Sequence, residues 1–376
     1  MKNNATALLA IGLVFVTGVA TVGDLPEAPV DARRPSLIEG IRIEPPLDFC
    51  GEPVPLDNQE VRERLEKEML ITLGDRPQAI LWLKRSRRYL PIIENMLAQH
   101  RIPEDIKYVA IAESALRPHA GSPAGAIGFW QFMQSTARRY GLAVDSDLDE
   151  RRSVFKSTQA AIAYFTDLHA DLGSWTLAAA AFNMGEEGLK SEILLQNTRD
   201  YYRLYLPLET QRYIFRILSA KMIISNPRRY GFHLTDDDIY PAMKYERVEV
   251  VCSRRTPITI VAKAAGTYFK KIKDLNPDVR GYFLPQGTHV LLVPEGSAEK
   301  FHARFEKELQ TWEKESGRLV HVVQPGDNLS TIADLYRVPL PALLMWNDLN
   351  PHRHIHPGDQ LIIYAPTLPE NEPEAE

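Results

Sequence analysis

Glu113 has the residue type and the neighbours to do chemistry. It follows the apolar run 108–112 and precedes Ser114 and Ala115, and residues 116–144 contain no Asp or Glu at all. A lone carboxyl at the end of a buried helix loses hydration, which raises its pKa and suits it to donate a proton. Gly121, Gly125 and Gly128 lie inside the acid-free stretch and allow a tight loop whose backbone approaches a ligand closely. Taken alone, a helical glutamate is more often a cap or a surface group. Its company is what gives this one weight.

Other chemistries fit less well. Asp145, Asp147 and Asp149 imitate the start of a calcium loop, but Glu150 stands where that loop needs Gly and Lys156 where it needs Glu. His352, His354 and His356 alternate in a turn without the cysteine or carboxylate partners of a zinc site. The basic stretch 84–88 is short and reads as a solvated helix face. Cys50 and Cys252 are too far apart for a redox or metal motif, although two exported thiols can pair. Neither a metal nor a cofactor is implied.

The elements that must position Glu113 are helical. Val61, Leu65, Met69 and Leu73 recur every four residues, and Ile92, Ile93, Met96 and Leu97 form a second apolar stripe. Further helices are expected over 106–112, 129–140, 153–172, 175–181 and 210–224. Residues 58–240 therefore form one all-α domain of ordinary size. Before it, residues 24–57 carry seven prolines and read as an extended tether or surface strap. Residues 1–23 carry a single charge, Lys2, ahead of an apolar run ending in small residues. That is the layout of a signal peptide, with a retained membrane anchor as the alternative. After Tyr240 two β-α-α-β units are expected, at 246–294 and 319–365, with turns at Asn276-Pro277 and Asn350-Pro351. A charged helix over 297–318 reads as a spacer between them, and the acidic tail 366–376 as disordered.

With 376 residues, 44% hydrophobic and 25% charged, the chain can build a real core, and wholesale disorder or multiple membrane spans are excluded. A formal net charge of -5 gives no attraction to nucleic acid or anionic lipid.

Four blocks then fall in a recognisable order: Glu113-Ser114-Ala115 with Ser122, the run 128–133 (Gly-Phe-Trp-Gln-Phe-Met), the run 181–185 (Ala-Phe-Asn-Met-Gly), and Glu209-Thr210-Gln211-Arg212-Tyr213. In sequence and spacing they resemble the soluble-lytic-transglycosylase family of lysozyme-like enzymes, most closely the membrane-bound murein transglycosylase D group, over residues 76–230. Phe129-Trp130 stands where many members have Leu-Met, and Phe182 where most have Tyr. The resemblance implies a mainly α lysozyme-like domain that cleaves the β-1,4 bond between N-acetylmuramic acid and N-acetylglucosamine in peptidoglycan and leaves 1,6-anhydromuramic ends. It makes Glu113 the acid and base, with Tyr213 setting its protonation. Ser122, Gln131 and Asn183 would bond the N-acetyl groups and Glu113, Met133 would pack on a sugar face, and Ser114 would hold the helix end or touch substrate.

The second C-terminal unit resembles a LysM module through the run 326–333, the run 346–349 and the run 355–361. This implies binding of N-acetylglucosamine-containing glycans between its two connecting loops, near Gly326, Asp327, Asn328, Leu329 and Asn350, with Asn328 in place of the usual Thr. The first unit has Arg254-Arg255-Thr256-Pro257 in place of the Gly-Asp-x-Leu turn, so it reads as a degenerate, structural copy. The expected partner is peptidoglycan, met by a monomer exported to the periplasm or envelope. A hydrolytic muramidase on the same fold and a non-catalytic wall-binding protein are the competing readings.

Overall fold

The structure is a computed structural model that describes residues 36–315, 318–350 and 354–364. The proposed export segment, His352 and the acidic tail lie outside the described residues.

The catalytic-type domain begins with α1 (Leu37–Gly40) and a hairpin of β1 (Asp48–Phe49) and β2 (Glu52–Pro53), followed by α2 (Gln59–Gly74), α3 (Arg76–Gln99) and α4 (Lys107–Ser114). Then come α5 (Gln134–Arg139), α6 (Val154–Leu172), α7 (Trp175–Met184), α8 (Glu186–Gln196) and α9 (Leu208–Ser225). Helix starts follow from side-chain oxygens that take up free backbone N–H groups: Asn58 caps α2, Asp75 caps α3, Ser153 caps α6 and Ser174 caps α7. The apolar stripes of α2 and α3 converge with α4, α6, α7 and α9 on one core that includes Leu65, Met69, Ile93, Val109, Phe165 and Ile217.

Two expectations change here. Part of the Pro-rich strap belongs to this core: Ile43, Phe49, Val54 and Leu56 are buried in it. Glu52, in the same segment, accepts hydrogen bonds from Ser174 Oγ, Trp175 N–H, Thr176 N–H and Thr176 Oγ1 at the start of α7. Burial alone would raise its pKa, but those donors outweigh burial and hold it below the ordinary value. The helix expected over 129–140 shrinks to α5, because residues 129–132 are held in a loop by contacts distant in sequence. Trp130 is fully buried and donates to Thr158 Oγ1 at 3.0 Å, while Phe132 O accepts from Arg151. Helix α8 was not expected: its apolar residues do not form one core-facing stripe, since Leu189 is its one buried residue while Leu194 and Leu195 are exposed.

The first small unit has β3 (Glu246–Cys252), β4 (Thr256–Pro257), α10 (Ile258–Ala264), α11 (Phe269–Leu275), β5 (Phe283–Leu284) and β6 (Gly287–Val293). Strands β3 and β6 pair antiparallel, as do β4 and β5. The single helix expected over 258–273 is two helices, broken at Gly266 with φ +64°. Next is α12 (Phe301–Glu315), which is more than a spacer: Phe301 and Phe305 are buried in the first unit's core, with Leu309 and Trp312 packed alongside. The second unit has β7 (Arg318–Val322), α13 (Leu329–Leu335), α14 (Leu340–Trp346) and β8 (Gln360–Tyr364), with β7 and β8 antiparallel.

One side chain reveals how the two units correspond. Asn276 Nδ2 donates to Ile272 O and Leu292 O and its Oδ1 accepts from Leu292 N–H; Asn347 makes the same three bonds, to Leu343 O, Ile362 O and Ile362 N–H. The counterpart of Asn276 is therefore Asn347, not Asn350, which shifts the repeat register implied by the two Asn-Pro turns. Cys50 and Cys252 are both free thiols in separate cores.

Candidate active site

Glu113 occupies the last turn of α4, and the chain turns sharply right after it. Ala115 and Leu116 both take positive φ, +53° and +57°, and both are buried. Two successive non-glycine residues in this region are uncommon and are held by their surroundings. Ser114 serves the turn: its hydroxyl donates to Ala110 O at 3.0 Å and accepts from Arg117 N–H at 3.3 Å.

Glu113 is half-buried as a residue, and its carboxyl is closely enclosed by protein. Desolvation pushes its pKa from 4.5 up to about 7; a hydrogen bond from Tyr213 and the charge of Arg216 oppose the rise, and Glu209 adds to it. Tyr213, fully buried on α9, donates its phenolic O–H to Glu113 Oε1. One turn earlier on α9, Thr210 donates from Oγ1 to Asn183 Oδ1 at 2.9 Å. One face of α9 thus joins Glu113 of α4 to Asn183 of α7.

The loop between α4 and α5 supplies the remaining candidates. Gly128, at φ +86°, lies so close to Arg151 that a Cβ there would stand 1.8 Å from the Arg151 carbonyl oxygen. Only glycine fits. Gln131, itself at φ +49°, donates from Nε2 to Gly128 O at 2.9 Å and Ala120 O at 3.2 Å, which leaves Oε1 as its open polar atom. Ser122 Oγ accepts from Ala126 N–H at 3.0 Å within the same loop. Met133 is exposed at the start of α5. Phe132 meets Phe182 edge-on at 5.8 Å, which seats the end of the loop beside the residue that precedes Asn183. Glu113, Tyr213, Thr210 and Asn183 are thereby linked through α9, whereas the polar groups of Ser122 and Gln131 bond within their own loop.

The acids that could act as a second carboxylate are held in ion pairs. Asp149 pairs with Arg151, Glu150 with Lys156, Glu186 with Arg139 and Glu209 with Arg216. Asp145 accepts the N–H groups of Asp147 and Leu148, and Asp147 pairs with Arg255, so the calcium-like triad serves structure. Among the described residues no group of three or more His, Cys, Asp or Glu could hold a metal. The basic stretch 84–88 grips its neighbours: Arg85 donates to Ala115 O, Arg87 pairs with Asp236 and Arg88 donates to Pro241 O. A groove of about 790 Å³ opens elsewhere, between α3, the start of α6 and the first small unit, and Glu113 does not line it.

Known proteins resemble the chain along most of its length. The transglycosylase SLT domain model matches residues 91–204 and the LysM domain model residues 321–363. The membrane-bound lytic murein transglycosylase D of Escherichia coli, in two strains, is 30% identical over 349 residues, covering 87% of this chain and 75% of the relative. The chain belongs to this transglycosylase family. The crystal structure of the 70 kDa soluble lytic transglycosylase of Escherichia coli is 16% identical, covers 45% of this chain and 32% of its own, and has a TM-score of 0.34.

In the LysM unit, Asn328 caps α13 and forms a reciprocal box with Thr331, so the residue in place of Thr does a capping residue's work. Asp327 Oδ2 accepts from Gln324 N–H and bonds His321 Nε2, and those contacts hold its pKa below the ordinary value. Gly326, at φ +97°, makes the turn; Leu329 packs on the unit's core, and Asn350 is exposed on the other loop. The end of that loop partly lies outside the described residues.

Proposed function

We propose that the protein is a peptidoglycan lytic transglycosylase in which Glu113 performs both proton transfers. The observation that carries this reading is a single enclosed carboxyl, raised to about pKa 7 and bonded to a buried phenol, with the other candidate acids tied up in ion pairs. Most glycosidases place two carboxylates around the bond, and substrate assistance is the known exception. Glu113 protonates the glycosidic oxygen, and the 2-acetamido carbonyl of the substrate attacks the anomeric carbon. The Glu113 carboxylate then takes the proton of the C6 hydroxyl as that oxygen closes on the anomeric carbon, which gives the 1,6-anhydro end and restores the acid. Tyr213 stabilises the carboxylate between the two steps. Asn183, whose Oδ1 is engaged by Thr210, has its NH₂ for an acetamide carbonyl, while Gln131 offers Oε1; Ser122 and Met133 line the sugar path, and Ser114 keeps the helix end in place.

The LysM unit holds the enzyme on glycan strands through the turn 326–329 and the loop that starts at Asn350. The protein works as a monomer in the envelope, exported and tethered or released through residues 1–23. No helix among the described residues is long and apolar enough to cross a membrane.

Mass analysis of muropeptides released from purified peptidoglycan tests the reaction. Wild type should release products one water lighter than hydrolysis products, and Glu113→Gln should release none. Hydrated ends would make the enzyme a muramidase, and no release by wild type would leave a binding protein.

A further inference from the structure

The first small unit departs from its LysM twin where that twin is expected to bind glycan. One offset of 71 residues relates Ile258 to Leu329 at the helix starts and Asn276 to Asn347 at the clamp. It also relates Arg255 to Gly326 and Val279 to Asn350, the two loops that flank the groove. In the first unit these same loops are occupied by segment 145–149 of the catalytic domain. Leu148 forms an antiparallel bridge with Val279 and packs on the unit's core. Asp149 N–H donates to Asp278 O and Arg280 N–H to Asp147 O, both at 2.8 Å. Arg255 pairs with Asp147 at 2.8 Å, and Lys156 with Asp278 at 2.9 Å.

The occupying segment is itself tied to the Gly-rich loop. Asp149 holds Arg151 through two bonds of 2.8 and 2.9 Å, and both side chains are buried. The remaining guanidinium nitrogen of Arg151 donates to Gly125 O and Phe132 O, each at 3.0 Å, the two ends of the stretch that contains Gly128 and Gln131.

We infer that the first unit has exchanged glycan binding for an internal ligand, segment 145–149, and that Arg151 is a positioning residue that passes this docking on to the substrate loop 121–133. Arginine suits the task because its planar fork serves a carboxylate and two carbonyls at once, which a lysine cannot do. The part concerning substrate rests on the proposed reaction; the part concerning coupling does not.

The test uses the full chain and three variants: Arg151→Lys, which breaks the fork, and Leu148→Ala and Arg255→Ala, which loosen the docking without touching the loop. Amide hydrogen exchange without substrate should speed up about tenfold at 125–132 in all three while α2 and α9 stay protected, a local opening rather than global unfolding. KM for soluble glycan strands should rise about threefold or more, the scale of coupling through packed networks, with kcat and the pH profile unchanged. Unchanged exchange and KM in Leu148→Ala and Arg255→Ala would make the first unit a passenger. Exchange rising equally in α2 and α9 would reduce Arg151 to general stability. If wild type lacked turnover, the proposed reaction would fail while the exchange data still decided the coupling.

Discussion

Replacing Glu113 by Gln should destroy activity and at the same time stabilise the protein, increasingly as pH rises from 4.5 to about 7 and fully above that. The folded carboxyl titrates near 7 against 4.5 when solvated, because burial disfavours its charged form. A group with a raised folded pKa retains a proton in the native state that the unfolded chain has already released. Below pH 4.5 both states are protonated and the residue adds no penalty; from there to about 7 stability falls, and above 7 the full penalty is present. The shift from 4.5 to about 7, at 1.36 kcal/mol per pH unit, corresponds to about 3 kcal/mol. Glutamine cannot ionise, and its Oε1 still accepts the Tyr213 hydrogen bond, so the substitution removes the charge with little else. Urea unfolding of wild type and Glu113→Gln at pH 4.5 and pH 8 measures the difference. The variant should match wild type at the lower pH and exceed it by up to about 3 kcal/mol at the higher. A difference independent of pH, or a variant less stable at pH 8, would refute the claim that Glu113 is held as a desolvated acid.

The remaining expectations concern the parts around that acid. In Tyr213→Phe the carboxylate loses its phenolic donor, so the basic limb of the pH profile of kcat/KM should move to higher pH while the fold persists, as a pH-rate series would record. Gly128→Ala should cost at least about 3 kcal/mol in denaturant unfolding, since the new Cβ meets the Arg151 carbonyl and the backbone sits at positive φ. Asn276→Ala and Asn347→Ala each strip a strand's N–H and C=O of their partner and should lower stability by about 1–3 kcal/mol. The larger loss is expected for Asn276, which is buried where Asn347 is only half-buried, and calorimetry of the two variants would rank them.

Much of this molecule can be read along the chain. Apolar periodicity and the absence of acids over 116–144 are local properties; the first led to the expectation of α2, α3, α6 and α9, and the second drew notice to Glu113, whose role rested on the resemblance of the blocks around it. The four blocks around Glu113, Gln131, Asn183 and Tyr213 are likewise a matter of residue type and spacing. Tertiary structure decided whatever depends on groups far apart in sequence. No local signal announces that Glu52, in a Pro-rich strap, caps a helix more than a hundred residues later. The aromatic run at 129–132 has helical spacing, yet Trp130 and Phe132 are drawn into a loop by Thr158 and Arg151. The paired left-handed residues after Ser114 carry no glycine to mark them. Most of all, the pKa of Glu113 is a property of its enclosure: the sequence supplies a carboxyl, and only the fold desolvates it and, through the packing of α4 against α9, brings the Tyr213 hydroxyl to its oxygen.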